Sequence, residues 1–161
     1  MRRSWLWMLC AAGGLFAGCT DYGSYRVSWQ FPGGEGANVG CGLHGVDSIR
    51  LIGTNTEGER DDYAAVCAAG MVIHSVPVGT WTFSVHQVDV RGVPVDTLDG
   101  NGEPLVPTAG AVIGEGTVPL DPEIVDLTPR PACQDRVDND RDGRVDLDDR
   151  DCAGDPNGAT E

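Results

Sequence analysis

Near the carboxyl end of this 161-residue chain, Asp138-Asn139-Asp140-Arg141-Asp142-Gly143-Arg144-Val145-Asp146-Leu147-Asp148-Asp149 places oxygen-bearing side chains at positions 1, 3, 5, 9 and 12 of a loop. A hard divalent cation takes about six to eight oxygens at roughly 2.3–2.6 Å, and a short loop supplies them by wrapping round the ion with ligands at alternate positions. Asp138, Asp140 and Asp142 are expected to donate carboxylate oxygens, Arg144 its carbonyl, Asp146 a direct or water-mediated contact, and Asp149 the closing ligand. Gly143 falls where the backbone turns sharply and a Cβ would obstruct. Asp149 stands where Glu is commoner, which shortens the arm that closes the shell. Calcium is the expected ion; the competing reading is a solvated acidic tail.

Cys133 and Cys152 bracket the loop, with 18 residues between them. In an oxidising compartment they would staple it shut, worth about 3 kcal/mol in the chain-entropy model. From Cys133 onward the chain carries ten acidic residues and four arginines, with Val137, Val145 and Leu147 almost its only bulky apolar side chains. Such a segment has no core of its own, so metal binding and local folding are expected to be one event.

The run Cys133-Gln134-Asp135-Arg136-Val137-Asp138-Asn139-Asp140, with Asp142-Gly143 and Asp151-Cys152, resembles the Asp-rich, Cys-flanked repeats of secreted bacterial proteins. It is similar, more distantly, to dockerin loops and thrombospondin type 3 repeats. The resemblance implies calcium binding by the matching aspartates and no catalytic activity. It covers about the last 29 residues, in one copy.

At the other end, Arg2 and Arg3 precede an apolar run from Trp5 to Gly18. At 14 residues the run is shorter than the roughly 18–20 that span a bilayer, and it reads as a signal peptide. Leu15-Phe16-Ala17-Gly18-Cys19 resembles the bacterial lipobox, with Phe16 where Leu is usual. That resemblance implies lipidation of Cys19 and export to the cell envelope; the outer membrane is the expected location, with Thr20 and not Asp directly after the anchor, and the inner membrane is the alternative. An ordinary secretory signal cut near Gly18 or Cys19 is the alternative. Acyl chains on Cys19 would hold the protein at a membrane, each buried CH₂ contributing about 0.8 kcal/mol.

Loss of residues 1–18 removes Cys10 and two arginines, taking the formal net charge from −14 to −16. Cys41, Cys67, Cys133 and Cys152 then form an even set beside the anchor. The simplest pairing is Cys41 with Cys67 and Cys133 with Cys152, among three possible connectivities. No Cys-x-x-Cys pair favours the rival zinc site. With 25 acidic residues, 11 arginines and no lysine, the chain is expected to be repelled by nucleic acid and by bare anionic lipid.

The elements that must carry these features lie between Tyr25 and Arg130, enough for one small core. Tyr25, Val27, Trp29 and Phe31 alternate with Arg26, Ser28 and Gln30, and Trp81, Phe83 and Val85 with Thr82, Ser84 and His86. This is the period-two pattern of strands with one buried face. Weaker strands are expected at Asp47–Ile52, Ala64–Ala68, Met71–Val76, Val93–Leu98, Ala111–Val118 and Glu123–Leu127. Turns are expected at Pro32–Gly34, Gly53–Gly58 and Asp99–Gly102, and no helix. Short strands at this spacing predict an all-β, small antiparallel β-sandwich of immunoglobulin or transthyretin type. Ser75-Val76-Pro77-Val78-Gly79-Thr80-Trp81-Thr82-Phe83-Ser84-Val85 also resembles a passage of transthyretin-like and carboxypeptidase-regulatory-like domains, where such a turn feeds a central strand.

Catalysis would fall to His44, His74 and His86, with Asp61, Asp62 or Asp89 completing a metal site or an acid–base pair. None lies in a metal-ligand spacing such as His-Glu-x-x-His, and Ser28, Ser48, Ser75 and Ser84 sit within strands without a nucleophile elbow. The expected organisation is a signal peptide (1–18), a lipidated tether (19–24), a β-sandwich (25–130) and a calcium-binding tail (131–161). The expected role is structural or adhesive and not enzymatic. A carbohydrate- or peptide-binding module is the second reading, and a zinc hydrolase built on the histidines the third.

Overall fold

In a computed structural model of the chain, residues 21–130 are described together with Arg144 and Cys152. The strands are β1 (Tyr22–Phe31), β2 (Glu35–Gly36), β3 (Ser48–Asn55), β4 (Arg60–Val66), β5 (Met71–Pro77), β6 (Gly79–Val88), β7 (Thr108–Ile113) and β8 (Thr117–Asp126). One short helix, α1 (Ala37–Leu43), follows β2.

The molecule is mostly β, but its strands form one mixed sheet nearly closed into a barrel where an antiparallel two-sheet sandwich was expected. The order runs β4, β3, β6, β7, β8, β1, with β5 on the far side of β1. The first and last strands, β1 and β8, are parallel, with Tyr25 opposite Val118 and Trp29 opposite Val125. The register slips between Arg26 and Ser28, so that Pro119 and Ile124 face nearly adjacent residues of β1 and the intervening stretch of β8 bulges outward. Arg26 reaches this bulge and pairs with Glu123.

The strongly alternating segments do become the strands at the centre of the fold. Tyr25, Val27, Trp29 and Phe31 of β1 and Trp81, Phe83 and Val85 of β6 are all buried, with Ile49 and Leu51 of β3 beside them. Burying apolar area at about 25 cal/mol per Å² is the main force that curls the sheet round them. Both core indoles keep a hydrogen bond: Trp29 Nε1 donates to the Cys67 carbonyl at 2.8 Å and Trp81 Nε1 to the Pro77 carbonyl at 2.8 Å.

Four local expectations change. Ala111–Val118 is two strands, broken between Ile113 and Thr117, where Gly116 adopts φ 91°. Val93–Leu98 is a loop tied down by single bridges, and Gly53 lies inside β3. α1 forms where no helix was expected. It buries Ala37, Gly40 and Cys41, and any Cβ on Gly40 would overlap the Phe31 ring. Cys41 joins Cys67, Cα to Cα 5.9 Å, so the disulfide ties α1 to the turn between β4 and β5.

A Cβ on Gly53 would likewise run into the Phe83 ring. Gly53→Ala is therefore expected to destabilise the domain by about 1–3 kcal/mol, read as a lower midpoint in thermal or urea unfolding.

Candidate functional site

The barrel is left open between β4 and β5, and side chains bridge the gap. His74 of β5 stacks on Tyr63 of β4, ring centroids 4.0 Å apart, and its Nε2 lies 3.3 Å from Asp61 Oδ1. Tyr25 of β1 meets the same imidazole edge-on at 5.8 Å and packs on Phe83 at 4.5 Å. Tyr25 is 0% exposed, and neither its hydroxyl nor Asp61 Oδ2 has a protein hydrogen-bond partner. Burial first, then the Asp61 carboxylate and Tyr63, push the Tyr25 phenol well above its ordinary value, so it stays neutral at physiological pH. The cluster thus holds one imidazole–carboxylate pair of the kind that transfers protons, beside a phenol that gives up no proton.

A second imidazole–carboxylate pair lies on the outer face of β6. His86 Nδ1 is 3.1 Å from Asp96 Oδ2, and His86 Nε2 is 3.2 Å from Ser84 Oγ. Carboxylate, imidazole and hydroxyl follow one another as in serine hydrolases. The rest of that machinery is otherwise engaged. The Ser84 hydroxyl donates to the Ile52 carbonyl at 3.3 Å, and the following amide, Val85 N–H, which would face an oxyanion, donates to the Pro107 carbonyl at 2.9 Å. Asp96 is 0% exposed, and its Oδ1 accepts the Gln87 amide at 2.8 Å and Gln87 Nε2 at 3.2 Å. The arrangement rivets the loop after β6 to the sheet.

The remaining sequence candidates are spread across the fold. Asp62 receives Arg50 Nε and Nη2 at 2.7 and 2.6 Å, and that guanidinium holds its carboxyl below the usual range. Asp89 accepts the amides of Arg91 and Val93, each at 2.8 Å, and Arg91 Nε at 2.8 Å. Burial works to raise Asp89, but the bonds from Val93 and Arg91 outweigh it and the carboxyl ends below its ordinary value. His44 stacks on Phe31, centroids 5.1 Å apart. Among the described residues no three His, Cys, Asp or Glu side chains converge to hold a metal ion.

Of the expected calcium ligands, Arg144 is exposed, while Asp138, Asp140, Asp142, Asp146 and Asp149 lie outside the described residues, as do Cys19 and Cys133. Cys152 is buried and disulfide-bonded. Asp96 escaped the sequence reading because it sits ten residues from His86 in an irregular loop, with no spacing to link the two. His74 and Asp61 were both named as candidates, but their pairing depends on which strands form the edges of the sheet.

No protein-family model matches the chain, and neither a curated protein nor a solved structure matches it.

Asp96→Asn is expected to cost about 2 kcal/mol, because it weakens a buried acceptor of the Gln87 and His86 bonds. Tyr25→Phe, which removes an unpartnered hydroxyl, is expected to stay within about 1 kcal/mol of wild type; urea unfolding compares them. The depressed Asp89 acid contributes its full stabilisation above the ordinary carboxylate range and loses it as pH falls through its lowered folded value. Asp89→Asn is expected to flatten that part of the acid-unfolding curve.

Proposed function

We propose that this chain is a lipid-anchored protein of the bacterial cell envelope, held at the outer membrane through Cys19, with a structural or adhesive β-domain and a calcium-binding tail. The observation that carries this reading is its cysteine chemistry. Cys41 and Cys67, 26 residues apart in sequence, are bonded between α1 and the turn that follows β4, and Cys152 is bonded as well. Disulfides persist in oxidising compartments, which fits the basic, apolar leader that ends at Cys19.

The β-domain serves as a folded body without catalysis in this reading. Both imidazole–carboxylate pairs are spent on construction, one across the barrel seam and one on a loop, and the Val85 amide next to Ser84 is taken up by the Pro107 carbonyl. Calcium would be held by Asp138, Asp140, Asp142 and Asp149, with the Arg144 carbonyl and Asp146 completing the shell. At roughly 1 mM calcium and a dissociation constant of about 0.1 mM, binding stabilises the ordered tail by about 1.4 kcal/mol, a conditional clasp.

Two measurements test the proposal. Calorimetric titration of the mature chain with calcium is expected to give one site in wild type and at least tenfold weaker binding in Asp140→Ala; equal heats in the two would remove the site. Cys19→Ala is expected to move the protein from the membrane to the soluble fraction of fractionated cells, and unchanged membrane retention would remove the anchor.

A further inference from the structure

Between β6 and β7 the loop of residues 89–107 and the segment following β8 enclose a groove of about 540 Å³, lined by Arg91, Val93, Pro94, Leu98, Pro104 and Arg130 among others. That volume is in the range of small-molecule sites. The walls are preformed. Single bridges join Val88 to Pro94, Leu98 to Pro104 and Asp96 to Pro129, and the Arg130 amide donates to the Val95 carbonyl at 2.9 Å.

The charge of the lining runs against that of the chain. In a protein of net charge −14, the groove presents two guanidinium groups and no carboxylate. The loop's own acids are turned elsewhere. Asp89 is bound to the Arg91 and Val93 amides, Asp96 to Gln87 and His86, Asp99 to the amides of Asn101 and Glu103, and Glu103 is not among the lining residues. Arg91 is balanced by Asp89 at 2.8 Å. Arg130 donates Nε to the Asp96 carbonyl at 2.9 Å, and among the described residues no carboxylate forms an ion pair with its terminal nitrogens. Around it Val93 is 48% and Leu98 39% exposed, apolar surface left open beside the cation.

We propose that this groove binds a small amphipathic carboxylate, its anion on the Arg130 guanidinium and its apolar body against Val93, Pro94, Leu98 and Pro104. A guanidinium matches a carboxylate with two parallel hydrogen bonds, and the apolar walls favour an aliphatic body over a sugar. The shared chemistry covers a free alkanoic acid and the carboxyl end of a short apolar peptide. The proposal stands apart from calcium binding and lipidation.

The test uses the full mature chain with decanoate, decanol and acetyl-Val-Leu as probes, followed by amide resonances of Val93 and Leu98 and the Nε–H of Arg130. Decanoate is expected to shift these saturably, and decanol to bind at least tenfold more weakly. Arg130→Gln is expected to weaken decanoate at least tenfold. Leu98→Glu, at an exposed position that tolerates charge, is expected to do the same even if Arg130→Gln loosens its segment. Arg26→Gln, on the β1–β8 bulge, is expected to leave binding unchanged. Tighter binding of acetyl-Val-Leu than of decanoate assigns the peptide source, and the reverse order the alkanoate; either upholds the carboxylate site. Decanol binding as tightly as decanoate, unaltered decanoate binding in both Arg130→Gln and Leu98→Glu, or no saturable shift at the groove overturns it.

Discussion

The two-sided pairing of β1 is the constraint from which the rest of the molecule follows. Its first seven residues are hydrogen-bonded antiparallel to β5, and its opposite edge runs parallel to β8. A parallel pair cannot be made by a hairpin; it requires the chain to travel away and return. Here the return takes the whole domain, through β3, β4, β5, β6 and β7, before β8 closes on the strand that began it. Such closure is a long-range event, and the alternating inner row of Tyr25, Val27, Trp29 and Phe31 is what rewards it.

Because β1 sits between β5 and β8, the long edges of the sheet fall on β4 and β5, consecutive in the chain and joined by the turn that carries Cys67, while the two-residue β2 pairs the end of β1. Unpaired edges invite association with other strands. This edge is managed by side chains. His74 spans the gap to Tyr63 and Asp61, while the Cys41–Cys67 bond pins the turn to α1, and α1 in turn covers Phe31 at the end of β1. Seam, helix and disulfide form one closure device.

Carboxylates perform much of the remaining construction. Asp89 and Asp99 each fold back over amides of their own loop, the pKa of the second held below the ordinary carboxylate value first by the Glu103 amide and then by that of Asn101. Asp96 reaches inward to β6. With the acids so committed, the outer surface of that loop is left to prolines, aliphatic side chains and arginine, and an acidic protein acquires a locally cationic groove.

The leader, the cysteines and the Asp-rich loop are legible as residue types at spacings. The strands of β1 and β6 were equally legible, because alternation records which side chains of a strand share a face. Alternation does not record which strand lies alongside, nor whether the buried face meets a second sheet or its own continuation, so a sandwich and a closing barrel write the same pattern. The break at Gly116, the helix held by a disulfide and by the close contact of Gly40 with Phe31, and the pairings of His74 with Asp61 and His86 with Asp96 all depend on neighbours beyond the local period. By itself the sequence determined where apolar faces, cysteines and acids lie along the chain, since those are properties of single residues and short periods. Only the tertiary structure decided which edges meet, which carboxylates are consumed in holding loops, and that Arg130 is left beside open apolar surface, since each is set by contacts between distant segments.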